Sequence, residues 1–413
     1  MIAALTRVFG VHNLALAEDV VQEAFCRAVE VWPLRGVPEN PPAWLMTTAK
    51  NLALDTLRRR RTARTYAPEL GRLLDSEWTR ASVVEELFAA GAIKDDLLRM
   101  MFSCCHPRLR EEAQVALVLH ILCGFSVGET AAAFVISRPA MEKRIARAKK
   151  ILAASKKLFD VTAGPEFLAR LPAVHSALYL LFNEGYHGAS AETAVRAELC
   201  REAVRLVKVL IAHPPGATSA TYALAALMSL HAARLPARVD EEGNLVALSD
   251  QDRSQWDRAL ISEGLKFLEL SASGGNFTEF HIEAAIAAIH ARAPDAAETD
   301  WKTIVSLYDA LMETRPSPIV ALNRAIAIAQ NEGPDRGLVA INSIADKDRL
   351  ATYPFYPAAI GELELRRGRP DAARRHFRTA RSLARNAMER QFFNRRVRAC
   401  GLRPSALRLD PRS

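Results

Sequence analysis

The sequence predicts an all-α protein, and three observations carry that reading. Ala, Leu, Arg and Glu recur at helical spacing through nearly all of the 413 residues, while the alternation of a half-buried strand is scarce. Proline and glycine are scattered instead of marking the short, regular intervals of an all-β chain. The last part of the chain also repeats itself: "GPDRGL" at Gly333 and "GRPDAA" at Gly368 start 35 residues apart, each between two helical stretches.

Taken in order, the chain divides into three helical regions. The first, 1–61, contains "AEDVVQEAFCRAVEVW" and "PPAWLMTTAKNLALDTLRRRR" and ends in four arginines, Arg58 to Arg61. Residues 62–93, mixed in charge and poor in periodic apolar positions, read as a linker. A second helical unit spans 94–160 and stops where "DVTAGP" breaks the helix. Within it, Ser126 is placed to cap a helix with Glu129 three residues on, a capping box. Ala131 allows close helix approach, and Ser137 is placed to cap a second helix whose Met141, Ile145 and Ala148 share one face. This is helix-turn-helix patterning. From 167 to 413 the chain reads as a solenoid of helical hairpins, its repeat degenerate before residue 300. Gly361, Gly368, Ala373, Phe377 and Ala380 take the small and aromatic positions of a tetratricopeptide helix pair, with Pro316, Tyr308 and Ala325 in a weaker earlier copy.

Charge narrows the function. The net charge of +8 is uneven: 137–157 carries eight Lys or Arg against the single acid Glu142, and 366–412 carries fifteen Arg against three acids. Cations grouped in this way suit an anionic partner or a solvated face. The longest apolar stretch, around "EAQVALVLHILCGF", is too short to span a bilayer, and the opening residues are too charged for a secretory signal. A cytoplasmic protein without membrane partner is expected. The six cysteines lack zinc-site spacing, so buried free thiols, no metal and no cofactor are expected.

Three motifs carry candidate sites. In the first, Asp19, Gln22 and Glu23 share a helical face beside Phe25, suited to docking on a cationic helix or to solvation. In the second, Pro41 and Pro42 precede a helix bearing Trp44, Lys50, Asn51, Asp55, Arg58 and Arg59: aromatic, amide and cationic groups of the kind that single-stranded bases and their backbone require. In the third, Ser137, Arg138, Pro139, Glu142 and Lys143 lie at the exposed start of the second helix-turn-helix helix, where base edges are read, with Arg144, Arg147 and Lys149 where phosphates would lie.

Together and in this order, these motifs resemble the sigma-70 family of RNA polymerase sigma factors, of the extracytoplasmic-function type. "AEDVVQEAF" looks like the polymerase-binding region 2.2, "PPAWLMTTAKNLALDTLRRRR" is similar to regions 2.3 and 2.4, and "SVGETAAAFVISRPAMEKRIARAKK" aligns with the region 4 helix-turn-helix. The resemblance implies core RNA polymerase, through its β′ clamp and β flap, and promoter DNA as partners. It assigns the first motif to polymerase, the second to the -10 element and the third to the -35 element. An unstacked -10 base is expected in a pocket formed by 33–42 and the following helix. Thr130, in place of an aliphatic residue, and Val135, in place of a turn glycine, depart from the pattern, and the segment before Asp19 is short for the first helix of region 2.

"LYLLFNEGY", "DQDRSQWDRALI", "AAIAAIHA" and "PSPIVALNRAIA" are similar to the subgroup with a long tetratricopeptide-like extension, which implies control of activity by that extension through an unidentified protein or ligand. Asn183, Glu184 and Tyr186 suit a switch contact or small-ligand pocket, or equally a helix end capped by Asn and stopped by Gly. Asp250, Asp252, Arg253 and Trp256 suit a binding site or a structural salt-bridge knot. No nucleophile, base and oxyanion grouping is present, so no catalysis is expected. Two rival readings remain: a helix-turn-helix regulator with a ligand-sensing helical domain, and an enzyme using Glu184 or Asp250 as an acid.

Overall fold

A computed structural model describes residues 1–62, 99–134, 136–154, 165–188, 195–275 and 277–401. Among them the chain is all helical, with one isolated antiparallel bridge between Val239 and Leu245. The linker expected over 62–93, Val135 and the "DVTAGP" break lie mainly or wholly outside the described residues. The chain forms two compact units, Met1–Leu178 with Ala212–Gly216, and Tyr179–Ile211 with Ala217–Ser413.

The first unit opens with α1 (Ile2–Phe9), α2 (Leu14–Arg35) and α3 (Pro41–Thr62). Ala17, Val20, Val21, Ala24 and Ala28 of α2 face Leu45, Met46, Ala49 and Ala53 of α3, so small residues at three- and four-residue spacing let the helices pack closely. Gly36, at φ 82, ends α2 and donates its N–H to the Trp32 carbonyl, and the Asn40 side chain accepts from the Ala43 N–H to start α3.

Residues 99–104 form α4, followed by α5 (Glu111–Leu117), which runs into a π turn over Val118–Leu122. Then come α6 (Val127–Ala133) and α7 (Arg138–Ala153). The capping box forms in both directions: the Glu129 N–H donates to Ser126 Oγ at 3.1 Å and the Ser126 N–H to Glu129 Oε2 at 2.9 Å. Thr130 is fully buried because its hydroxyl donates to the Ser126 carbonyl at 2.9 Å, which satisfies the polar group that an aliphatic residue would lack. Met141, Ile145, Ala148 and Leu152 bury the inner face of α7. Ser137 occupies the cap position but makes no side-chain cap; Pro139, whose missing N–H would be unpaired there in any case, lies in the first turn. Cys104 and Cys105 are buried free thiols, and burial pushes the Cys105 thiol up to about 12.

Two helices, α8 (Pro165–His187) and α9 (Ala197–Ala212), are divided between the units. In the first unit, Phe167 stacks on Phe102 at 4.1 Å, and the buried Arg170 donates to the Phe102 carbonyl at 2.8 Å. The second unit continues with α10 (Ser219–Ala232), α11 (Arg258–Ser271), α12 (Glu279–Arg292), α13 (Trp301–Thr314), α14 (Pro318–Glu332), α15 (Pro334–Asn342), α16 (Phe355–Arg366), α17 (Pro370–Ser382) and α18 (Ala387–Ala399).

Sequential packing is strongest between α10 and α11, α14 and α15, and α16 and α17. The two copies of the repeat become the turns of two such hairpins. Gly333 (φ 96) and Gly368 (φ 72) adopt backbone that L residues avoid, and each stands just before a helix with proline in its first turn. Gly361 packs on the Phe377 ring, and Ala373, Phe377 and Ala380 are buried.

A Cβ at Gly337 would collide with Ala329 across the α14–α15 crossing. Gly337→Val is therefore expected to destabilise the chain by about 1–3 kcal/mol. Gly275→Ala, at a site with nothing within 4 Å, is expected to stay within about 0.5 kcal/mol. Denaturant titration of the two variants checks the contrast.

Candidate nucleic-acid interface

Because the inner faces of α2 and α7 are committed to alanine and aliphatic packing, their polar residues are left outward. Asp19, Gln22 and Glu23 are all exposed on α2, and Glu23 pairs with Arg27 at 3.3 Å. Phe25 is 50% exposed and Val29 75%, an apolar strip beside the acidic one.

Between α2 and α3 lies a cleft of about 430 Å³ lined by Arg27, Val31, Trp32, Arg35, Gly36, Val37, Pro38, Trp44 and Thr48. Trp32 and Trp44 meet edge to face at 5.6 Å in its wall, and the indole N–H of Trp32 has no acceptor among the described residues. The resemblance implies a pocket in 33–42 and the following helix; this cleft takes Arg35 to Pro38 from that stretch, Trp44 and Thr48 from α3, and Arg27, Val31 and Trp32 from α2. Trp44, Thr48, Asn51 and Asp55 recur at intervals of three and four, so the cleft continues along one face of α3, with Asn51 and Asp55 exposed. Arg58 and Arg59 continue the helix, but their side chains lie outside the description. Lys50 departs from the expectation: one residue before Asn51, it projects about 100° away from that face, and it is half-buried, with desolvation lowering its pKa.

On the helix-turn-helix, Ser137, Arg138, Pro139, Glu142, Lys143 and Arg147 are exposed. Arg138 Nε donates to Glu142 at 3.1 Å, so these two side chains act as one group. Arg144 is half-buried over the Phe134 ring, its guanidinium carbon 5.6 Å from the centroid.

Lys149 is held within the fold. Its ammonium donates to both carboxylate oxygens of Glu18, at 2.8 and 2.6 Å, and in this conformation it does not stand free for a phosphate. His120 Nε2 lies 3.9 Å from the same carboxylate, and α7 packs on α2 and on the turn Val11–Asn13. Glu18 is invisible to sequence reasoning because its partner Lys149 lies 131 residues downstream.

In the second unit, Asn183 and Glu184 are half-buried and Tyr186 is buried, its ring 5.7 Å from Phe182 and 5.3 Å from His231. Gly185 does not stop the helix, which runs on to His187; a Cβ there would stand 2.8 Å from the backbone nitrogen of Cys200, so the glycine serves a helix crossing.

The "DQDRSQWD" residues are largely structural. Asp252 caps a short turn, and Asp257 caps α11 through the N–H groups of Ala259 and Leu260. Arg253 donates to the carbonyls of His290 and Ala293, at 2.9 and 2.6 Å, closing the end of α12. Trp256 is buried 5.0 Å beneath it. Asp250 is exposed, bonded to Ser249 and 3.9 Å from Arg396. Of the expected salt-bridge knot, only this last pair is ionic among the described residues.

Among the described residues there is no group of three or more His, Cys, Asp or Glu placed to hold a metal ion, and no helix is long and apolar enough to cross a membrane.

Residues 2–63 match the family model for sigma-70 region 2, and residues 99–152 match that for sigma-70 region 4. The chain belongs to the sigma-70 family. An uncharacterized protein of Rhizobium meliloti (strain 1021) is similar to this sigma factor at 38% identity over 404 residues, 98% of this chain and 94% of its own length. Residues 170–272 of the sigma factor match a family of unknown function, DUF6596, and no solved structure matches the chain. The role of the sigma factor lies in transcription initiation, with core RNA polymerase and promoter DNA as partners.

Glu18 and Lys149 are mostly buried, so Glu18→Ala is expected to cost about 1.5–3 kcal/mol by leaving the ammonium without its carboxylate. The reversed pair, Glu18→Lys with Lys149→Glu, is expected to recover part of that loss in thermal unfolding.

Proposed function

We propose that the chain is a sigma factor of the extracytoplasmic-function type whose C-terminal, tetratricopeptide-like hairpins control its activity. The observation that carries this reading is the tryptophan-walled cleft between α2 and α3, which continues into a polar face of α3 and is rimmed by Arg27 and Arg35. An unstacked -10 base enters that cleft, where stacking worth about 1–3 kcal/mol offsets much of the cost of extrusion. Asn51, Asp55, Arg58 and Arg59 track the strand beyond it. Residues 1–61 thus form region 2, 94–160 region 4, 62–93 the linker between them and 167–413 the extension.

Asp19, Gln22, Glu23 and Phe25 dock on the β′ clamp of the core enzyme, charge and aromatic contact acting together, while region 4 engages the β flap. On the -35 element, Arg138, Glu142 and Lys143 read base edges and Arg147 contacts phosphate. Lys149 joins the phosphate contacts once Glu18 releases it, so the ion pair opposes full -35 engagement until polymerase and DNA separate the two regions. In the extension, Asn183, Glu184 and Tyr186 take part in control, whereas Asp252, Arg253 and Trp256 hold its frame.

Replacing Asp19, Gln22 and Glu23 together by Ala is expected to abolish co-purification with core polymerase while leaving the circular dichroism spectrum unchanged, because all three side chains are exposed. Undiminished co-purification contradicts the docking face.

Arg138→Ala or Lys143→Ala is expected to change which -35 sequences are used, each lost base contact costing roughly 1–3 kcal/mol. Arg147→Ala is expected to weaken all sequences alike and to lower the salt slope by about 0.9. Binding measured across base-substituted -35 sites and salt concentrations separates the two classes.

A further inference from the structure

Arg234 follows α10 and is 6% exposed, yet among the described residues no carboxylate pairs with it. Its guanidinium donates to His231 Nδ1, and its Nε–H has no acceptor. A guanidinium cannot shed its charge, so burial without an anion leaves that charge uncompensated. The indole N–H of Trp256, a residue 3% exposed, also lacks an acceptor, and the Arg234 guanidinium lies 5.9 Å from its ring centroid.

The neighbouring cations are served by neutral groups. Arg238 lies 4.1 Å over the Tyr186 ring and donates to the Tyr186 carbonyl at 3.1 Å and to His187 Nδ1 at 2.8 Å. Arg253 donates to two carbonyls and to the Thr299 hydroxyl. Of the acids in this unit, Asp240 and Glu242 bind Arg395, Glu389 binds Arg385, and the half-buried Glu283 accepts from the Tyr179 hydroxyl. Burial and then the surrounding arginines push the His231 pKa well below its usual range and that of His290 down to about 3, so neither imidazole adds positive charge. His231 and Arg238, at the edge of the cluster, are each partly exposed.

We propose that the second unit holds a binding site for a small-molecule oxyanion, a carboxylate or phosphate group received by Arg234 and Arg238 beside Tyr186 and Trp256. The oxyanion accepts from the Arg234 Nε–H and the Trp256 indole N–H and supplies the missing negative charge, while the two rings bound its body. The proposal identifies the chemical class of the effector through which the extension would act. It rests on that reading only for its consequence, since binding is measured without polymerase or DNA.

The test is calorimetric titration and thermal unfolding of the full-length chain with inorganic phosphate, acetate and citrate, ionic strength being held constant with sodium chloride. At least one oxyanion is expected to bind saturably, and the separate arms distinguish phosphate from carboxylate. Arg234→Gln is expected to weaken binding roughly tenfold or more, the loss of a charge-assisted contact. Arg238→Gln, at a less buried position, is expected to weaken binding as well, and it carries the test if Arg234→Gln fails to fold. Arg258→Gln, at an exposed position of α11, is expected to leave binding unchanged. Absence of saturable binding by all three probes, or binding unaltered in Arg238→Gln and in folded Arg234→Gln, overturns the site. Binding that is confirmed but leaves transcription by the core enzyme unchanged would retain the site and remove its role in control.

Discussion

Close helix approach is the constraint on which this structure depends. With no sheet among the described residues, each helix buries one stripe, and the stripes meet wherever small side chains remove the obstacle: Ala24 and Ala49 between α2 and α3, Gly185 against Cys200, Gly264 against Leu230, and Gly361 against the Phe377 ring. Because these crossings fix the rotation of each helix about its axis, they also decide which residues face outward. The exposed acidic strip of α2 and the exposed first turns of α7 are consequences of where the alanines and methionines went.

Charge then supplies what packing leaves unspecified. The arginines of 366–412, unexplained by sequence alone, meet acids brought to them by the fold: Arg367 binds Asp335 and Glu364, Arg395 binds Asp240 and Glu242, and Arg396 binds Glu362. Much of that run is intramolecular pairing within the second unit. Lys149 shows the same pattern in the first unit, where a cation from the second helix of the helix-turn-helix is held by a carboxylate of α2. Arg234 stands apart because, among the described residues, no carboxylate pairs with it.

What was legible in the sequence was local. Capping at Ser126, the apolar face of α7 and the hairpin turns at Gly333 and Gly368 all follow from spacing within a few residues, whereas a pocket before Trp44 was implied only by the family resemblance. What escaped was long-range or rotational. Glu18 meets Lys149 only after folding, Trp32 joins Trp44 from another helix, and Lys50 turns away from Asn51 because adjacent helical residues differ by about 100°. Gly185 reads as a stop until the Cys200 backbone is placed against it. His231 and Arg234 did leave a signal, as polar residues closing the apolar run "YALAALMSLHAAR", but nothing in the sequence shows that Arg234 lacks an acid.

Opening promoters with core RNA polymerase is the activity proposed for this chain. The most direct measurement is permanganate footprinting of a promoter selected from bound genomic fragments, with purified core enzyme and full-length protein added separately and together. Reactive thymines are expected at the -10 element only when both are present, with specific transcripts starting downstream. Sequence-specific DNA binding by the chain alone, with no melting when core enzyme is added, would contradict it and would favour a helix-turn-helix regulator.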